Sequence, residues 1–179
     1  MSVALLVGGR HQGKTTTCRQ LADGLRRRGL GLAGVVTPAV WIANRCVGYL
    51  AVDLAGQQVA RLATLEGPGA ERIGQYHFLS EGLELGRDAL RRAAESDFDL
   101  AIVDEVGPLE LAGGGWSQVL DRLVARPGLT LLTVRRSLAA AVAQRWGAAQ
   151  TPDYDLADGP DRVIAAVCAR LGATGGAAV

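Results

Sequence analysis

Lys14 is the only lysine in a chain with nineteen basic residues; the other eighteen are arginine. It closes Gly8-Gly9-Arg10-His11-Gln12-Gly13-Lys14-Thr15, which has the spacing Gly-x-x-x-x-Gly-Lys-Ser/Thr of a phosphate-binding loop. Arginine serves at most solvated cationic sites, so the surviving lysine marks a place where it does not. A compact ammonium threads between β- and γ-phosphates, whereas a planar guanidinium fork does not fit there. Backbone N–H groups of such a loop converge on one concavity, and the following helix start adds partial positive charge. Gly8 and Gly13 permit backbone shapes that a Cβ forbids. The Thr15 hydroxyl is the expected ligand of Mg²⁺, and Thr16 reaches towards a more distal phosphate. Arg10, His11 and Gln12 fill the variable positions and line the mouth, His11 reading better as a solvated loop residue than as a phosphate contact. The expected nucleotide-binding set is Gly8, Gly9, Arg10, His11, Gln12, Gly13, Lys14, Thr15 and Thr16.

A second constellation lies ninety residues on. In Asp99-Leu100-Ala101-Ile102-Val103-Asp104-Glu105, four apolar residues run into two carboxylates. Buried parallel strands end this way when they deliver acids to the carboxyl edge of an open α/β sheet, where ligands bind. Asp104 is the expected Mg²⁺ holder, through water, together with Thr15. Glu105 is the expected general base for an attacking water, which makes Lys14 and Glu105 the catalytic pair. The competing reading is that both acids only cap a strand. Arg135-Arg136 follow another apolar run, Leu129 to Val134, and either neutralise γ-phosphate charge or form a surface basic pair. For Arg45 a ribbon salt bridge is the better reading.

These residues require elements that place them. Val3 to Val7 is a short apolar run, as a buried strand should be. After the loop, Cys18, Leu21, Ala22 and Leu25 recur at helical spacing until Gly29. A second strand is expected at Leu32 to Thr37, closed by Pro38. Cys46 to Leu54 and Gln57 to Leu62 alternate around Ala55-Gly56 and predict an antiparallel ribbon. A strand at Ile73 to Phe78 follows, with a partly buried His77. Ser80 is the expected N-cap of a helix to Ser96. Val106 to Gly115 reads as a loop, Trp116 to Ala125 as a helix, and Ser137 as the cap of a helix to Trp146. The stretch Ala148 to Leu156 holds a weakly marked last strand, and Asp161 to Leu171 a final helix. Alternating strands and helices imply a three-layer α/β fold with a mostly parallel sheet. One domain is expected over 1–171, with the ribbon insertion at about 41–78 and a flexible tail at 172–179.

Composition narrows the partners. The 179 residues suffice for one real core. A net charge of +1 gives no electrostatic case for nucleic acid or membrane as the main partner. Arg26-Arg27-Arg28 suits a helix C-terminus. Cys18, Cys46 and Cys168 lack metal-ligand spacing and fit free thiols in a reducing cytoplasm. No apolar run reaches the length of a bilayer span, and with a strand expected directly after Met1 no targeting peptide is expected. Trp41, Trp116 and Trp146 read better as packing residues than as base-stacking ones.

At Asp104-Glu105-Val106-Gly107-Pro108-Leu109-Glu110-Leu111 the chain resembles the small P-loop nucleoside-triphosphatases of hyperthermophiles, which include a cancer-related human relative. Gly13-Lys14-Thr15-Thr16, Gly34-Val35-Val36-Thr37-Pro38, Arg45-Cys46-Val47-Gly48-Tyr49 and Ile73-Gly74-Gln75-Tyr76 are similar to the family's segments as well. The resemblance covers Val3 to Val134. It implies a RecA-like sandwich that hydrolyses several nucleoside triphosphates with Mg²⁺, slowly and without strong base preference. It assigns nucleotide and metal to Lys14, Thr15 and Asp104, and water activation to Glu105. Two departures stand out. Leu156-Ala157-Asp158-Gly159-Pro160 replaces the family's late Asn-Arg pair, and the segment after Val134 is short. Alternative readings are a small-molecule or nucleotide kinase and an ATP-dependent switch or adaptor. A guanine-reading Asn-Lys-x-Asp motif is impossible with Lys14 the sole lysine.

Overall fold

The computed structural model describes residues 2–148 and 153–172. Residues 173–179 of the expected tail and 149–152 of the weakly marked stretch fall outside them. The run Val3–Val7 is buried throughout and forms β1, Ser2–Gly8. β1 lies parallel to the strand Leu129–Arg135, which lies parallel to Leu100–Val106, and that in turn to Leu32–Val36. In chain order these strands are β9, β8 and β2. Their near-continuous apolar runs follow from burial on both faces. A two-residue strand, β10 (Tyr154–Asp155), closes the far edge beside β1.

Helices cover both faces. α1 (Lys14–Arg26) and α6 (Pro160–Arg170) pack Leu21, Leu25, Val163 and Val167 against Leu6, Ile102 and Leu131. On the other face α2 (Ser80–Glu95), α4 (Ser117–Leu123) and α5 (Ala139–Trp146) bring Leu90, Leu120 and Val142 against Leu5, Val103 and Leu132. Alternate strand residues thus feed separate cores, the period of two seen from both sides. Gly34 in β2 has φ +100°, and a Cβ there would stand 2.0 Å from the Ile102 carbonyl oxygen, so only glycine lets β2 reach β8.

The expected ribbon is present and is part of the same sheet. β4 (Arg45–Asp53) pairs antiparallel with β2, Val36 opposite Val52, and the order runs on through β5 (Val59–Thr64), β7 (Tyr76–Phe78) and β6 (Glu71–Ile73). β3 (Ala39–Ile42) pairs with β4 across a turn in which Ala43 and Asn44 both have positive φ. The sheet is therefore mixed: a parallel half that holds the loop and acids, and an antiparallel half that extends it. Within the described residues no helix is long and apolar enough to cross a membrane.

Several local expectations need correction. The segment Ile73 to Phe78 is not one strand, because the chain reverses at Gly74 (φ +60°). Ser80 is the first residue of α2 and not its cap; Leu79 holds that place without a side-chain bond. The loop Val106 to Gly115 contains a one-turn helix, α3 (Pro108–Leu111), started by Pro108 and fastened by Glu110, whose Oε2 accepts from the Gly107 N–H at 3.0 Å. Ser137 lies in a 3₁₀ turn, Arg136–Leu138, and α5 begins after it. Trp116 and Trp146 are buried, but Trp41 is 53% exposed.

Candidate active site

The loop between β1 and α1 is built as its sequence predicts. Gly13 has φ +95° and stands at the N-cap of α1 with no side-chain bond, and the first turn of α1 carries no acid. The helix start is left with unneutralised N–H groups, the arrangement that attracts an anion. The Gln12 side chain folds back and accepts from the Gly9 N–H. Arg10, His11 and Gln12 are exposed, and the His11 ring meets Trp41 edge-on, centroids 5.6 Å apart. Lys14 is buried. Its ammonium lies 3.0 Å from the Gly9 carbonyl oxygen, 3.4 Å from that of Gly8 and 3.6 Å from Glu105 Oε1.

Asp104 is almost fully buried and held by four donors. Its Oδ2 accepts from the Thr15 hydroxyl at 2.7 Å, the Thr37 N–H at 3.0 Å and the Thr37 hydroxyl at 3.1 Å; its Oδ1 accepts from the Thr133 hydroxyl. Neither Thr37 nor Thr133 was named from sequence as a site residue. For Thr133 the available signal is a pair of threonines, Thr130 and Thr133, in the otherwise apolar run Leu129 to Val134. The Thr15 hydroxyl and the Asp104 carboxylate make a pair of hard oxygen donors beside the phosphate loop. That donor set suits a divalent cation that takes its remaining ligands from phosphate and water.

Asp104 and Glu105 are consecutive, and in a regular strand their side chains would leave on opposite faces. The strand is not regular there. The β8–β9 register shifts between Val103 and Val106, and Glu105 has φ +57°. The irregularity turns Glu105 into the cleft that Asp104 already faces. Its N–H donates to the Thr133 hydroxyl at 2.8 Å, so one threonine fixes both acids. A non-glycine residue in this left-handed region stores roughly 1–2 kcal/mol, a kind of strain that gathers at functional sites.

The arginines separate. Arg135 Nε stands 3.8 Å from Glu105 Oε2, opposite Lys14 on Oε1. Arg136 turns away to pair with Asp155 at 2.7 Å, a hydrogen-bonded contact that draws the half-buried Asp155 carboxyl below its ordinary range. Arg45 borders a separate shallow depression with Val47, Thr64, Leu65 and Glu66. The loop residues Arg10 to Thr16, with Thr37, Asp104, Glu105 and Arg135, line one cleft of about 780 Å³. All the residues expected to act on nucleotide or metal therefore converge, apart from Gly8 and Gly9, which shape the loop floor beneath Lys14.

Comparison with known proteins gives the same picture. The family model described as NTPase matches residues 4–152. The nucleoside-triphosphatase THEP1 of Methanothermobacter thermautotrophicus is 32% identical over 143 residues, 79% of this chain and 80% of that one. The protein of the same name from Pyrococcus abyssi is 32% identical, covering 70% of each chain. Among solved structures, a human cancer-related nucleoside triphosphatase superposes with a TM-score of 0.73 at 20% identity, covering 98% of this chain and all of that one. THEP1 from Aquifex aeolicus superposes with a TM-score of 0.70 at 17% identity, covering 94% and 98%. At those identities the two structures speak for the fold alone.

Proposed function

Since the chain belongs to the NTPase family and is a nucleoside-triphosphatase, we propose that it cleaves the β–γ phosphoanhydride of nucleoside 5′-triphosphates with Mg²⁺, slowly and with loose base preference. One observation carries the reading: Lys14 and Glu105 meet at 3.6 Å directly beside the Thr15–Asp104 pair at 2.7 Å. Cation, base and metal donors thus share one end of the phosphate loop.

The loop N–H groups and Lys14 bind the β- and γ-phosphates. Mg²⁺ held by Thr15 and Asp104 would supply charge neutralisation to the phosphate oxygens. Glu105 takes the proton of a water aligned on the γ-phosphorus as the new O–P bond forms. The bond from the γ-phosphorus to the bridging oxygen breaks, and its electrons leave with the nucleoside diphosphate. Arg135, already beside Glu105, balances charge that spreads over the γ-oxygens. Loose base preference is supported by the nucleoside side of the loop, where the lining offers the exposed Thr16 and Arg19.

The test is phosphate release from ATP, GTP, CTP and UTP, with Mg²⁺ and with EDTA, for the wild type, Lys14→Ala and Glu105→Gln. Release from all four nucleotides that needs Mg²⁺ and is lost in both variants is the expected result. Undiminished release by Glu105→Gln would remove the base assignment, and full activity in EDTA would remove the metal.

A further inference from the structure

The cleft continues past Glu105. Beyond Val106 it runs along the antiparallel half of the sheet, walled by Tyr49, Leu62, Tyr76, Phe78, Leu83 and Trp116. The sheet order fixes where this compartment lies. The acids rise from β8, whereas Tyr49, Leu62 and Phe78 stand on β4, β5 and β7, two, three and four strands farther out. At about 4.8 Å per strand, that is roughly 10–19 Å beyond Asp104.

A bound triphosphate has a direction in this site. The loop cradles the α- and β-phosphates and Lys14 reaches β and γ, so the γ-phosphate points to Glu105. The nucleoside leaves on the opposite side, past Thr16 and Arg19. The walled compartment therefore adjoins the γ-phosphate and is out of reach of the base. That is the position of a phosphoryl acceptor.

Its walls define the acceptor. They are aromatic and fixed: the Tyr49 and Tyr76 rings meet edge-to-face, centroids 5.1 Å apart. The Trp116 Nε1–H donates to the Leu83 carbonyl at 3.1 Å, and its ring lies on Gly86, where a Cβ would come within 2.3 Å. Aromatic-lined pockets take apolar and, by ring–ring contact, aromatic ligands. Charge decides the rest. The cationic side chains lining the cleft are Arg10, Lys14, Arg19 and Arg135, all on the phosphate loop, α1 or the end of β9. Among the described residues none stands on the compartment walls. An acceptor that already carries phosphate needs such a cation, and an uncharged one does not.

We propose that this compartment binds a small, uncharged aromatic or heteroaromatic alcohol, and that the enzyme transfers the γ-phosphoryl group to its hydroxyl in competition with water. The acceptor oxygen forms the new O–P bond, and its proton passes to Glu105. The bond from the γ-phosphorus to the bridging oxygen breaks, its electrons leaving with the nucleoside diphosphate, so the products are a phosphate monoester and that diphosphate. The proposal rests on the reading of Lys14 and Glu105 given above.

The experiment incubates the full chain with Mg²⁺ and γ-labelled ATP in the presence of benzyl alcohol, 4-(hydroxymethyl)pyridine or tryptophol. Glucose and AMP serve as polar and phosphorylated comparators. Chromatography separates inorganic phosphate from any labelled ester, so hydrolysis and transfer are read independently. The expected result is label in the ester of an aromatic alcohol, and none in those of glucose or AMP. Phosphate release with no ester from any aromatic alcohol overturns the proposal and leaves the hydrolase reading standing; neither product sinks both. Preferential labelling of AMP or glucose overturns the charge and shape argument. Phe78→Trp, which fills the slot, is expected to lower the ratio of ester to phosphate about tenfold. An unchanged ratio in a folded Phe78→Trp protein would place the acceptor elsewhere and overturn the assignment.

Discussion

Glu105 joins two properties that substitutions can pull apart: a strained backbone and a carboxylate placed to accept a proton. Its φ of +57° disfavours any residue with a Cβ. Its side chain, 36% exposed, makes ion contacts of 3.6 and 3.8 Å. Contacts that long and that open to solvent contribute only about 0–1 kcal/mol together. Glu105→Ala and Glu105→Gly both lose them, so the comparison between the two variants cancels that loss. What remains is the backbone. Glycine relieves roughly 1–2 kcal/mol of left-handed strain. It gives back roughly 0.5–1 kcal/mol through the greater freedom of the unfolded chain.

Glu105→Gly should therefore be the more stable of the two by about 0.7 kcal/mol, the middle of a range of about 0–1.5 kcal/mol, reversing the usual order of alanine and glycine. For a chain of this size that is a shift in Tm of about 1–4 °C. Activity should move the other way. Glu105→Gly, Glu105→Ala and Glu105→Gln should all lose about 10²- to 10⁴-fold in kcat, roughly 3–5 kcal/mol of barrier, while still binding a non-hydrolysable ATP analogue. Urea denaturation measures the first quantity and steady-state phosphate release the second. An alanine variant as stable as the glycine variant would refute the strain. A glycine variant that hydrolyses within a few-fold of wild type would refute the base.

Other expectations follow from the same geometry. Thr133→Val keeps the shape but removes the hydroxyl shared by Asp104 Oδ1 and the Glu105 N–H; it should cost about 2 kcal/mol in urea denaturation and lower phosphate release. Arg135→Ala should lower kcat by about 10²-fold, whereas Arg136→Ala, whose partner Asp155 lies outside the cleft, should leave steady-state rates near wild type. Burial raises the Glu110 carboxyl above its usual range, so its contribution to folding is fully present below pH 4.5 and is lost as pH rises through the folded-state value. The stability of Glu110→Gln relative to wild type should therefore climb as pH rises above 4.5, and a pH-independent difference in denaturation midpoints would refute this.

The parts of the site that were legible in the sequence are those whose chemistry is local. A phosphate loop spends eight consecutive residues on one task, and an apolar run that ends in two acids reports its own edge. Thr37 and Thr133 were not legible because their role comes from strand pairing: they reach Asp104 across 67 and 29 residues. Arg135 and Arg136 looked equivalent because what separates them, Asp155 on the edge strand β10, lies in a stretch with little strand pattern. The Gly107-Pro108 punctuation reads as a loop, and the carboxylate that makes it a helical turn comes from Glu110, within the turn itself. The aromatic compartment was invisible for a stronger reason. Tyr49, Tyr76 and Trp116 belong to three separate parts of the chain, and nothing in their spacing says that they share a wall.

The contrast between the adjacent acids gives the site its logic. Asp104 accepts from the Thr15, Thr37 and Thr133 hydroxyls and from the Thr37 N–H; held by four donors and almost fully buried, it has little freedom to move. Glu105 is anchored through its backbone but, among the described residues, tethered at its carboxylate by two long ion contacts, one to each oxygen. Both cations in those contacts, Lys14 and Arg135, are the ones that a γ-phosphate would attract most strongly. Binding of the triphosphate would thus remove the partners of Glu105 by the same act that places the γ-phosphorus beside it. A base that is neutralised in the empty site and released by its own substrate needs no separate lid or signal. It also leaves the choice of acceptor, water or a hydroxyl from the aromatic compartment, to whichever lies in line when the carboxylate comes free.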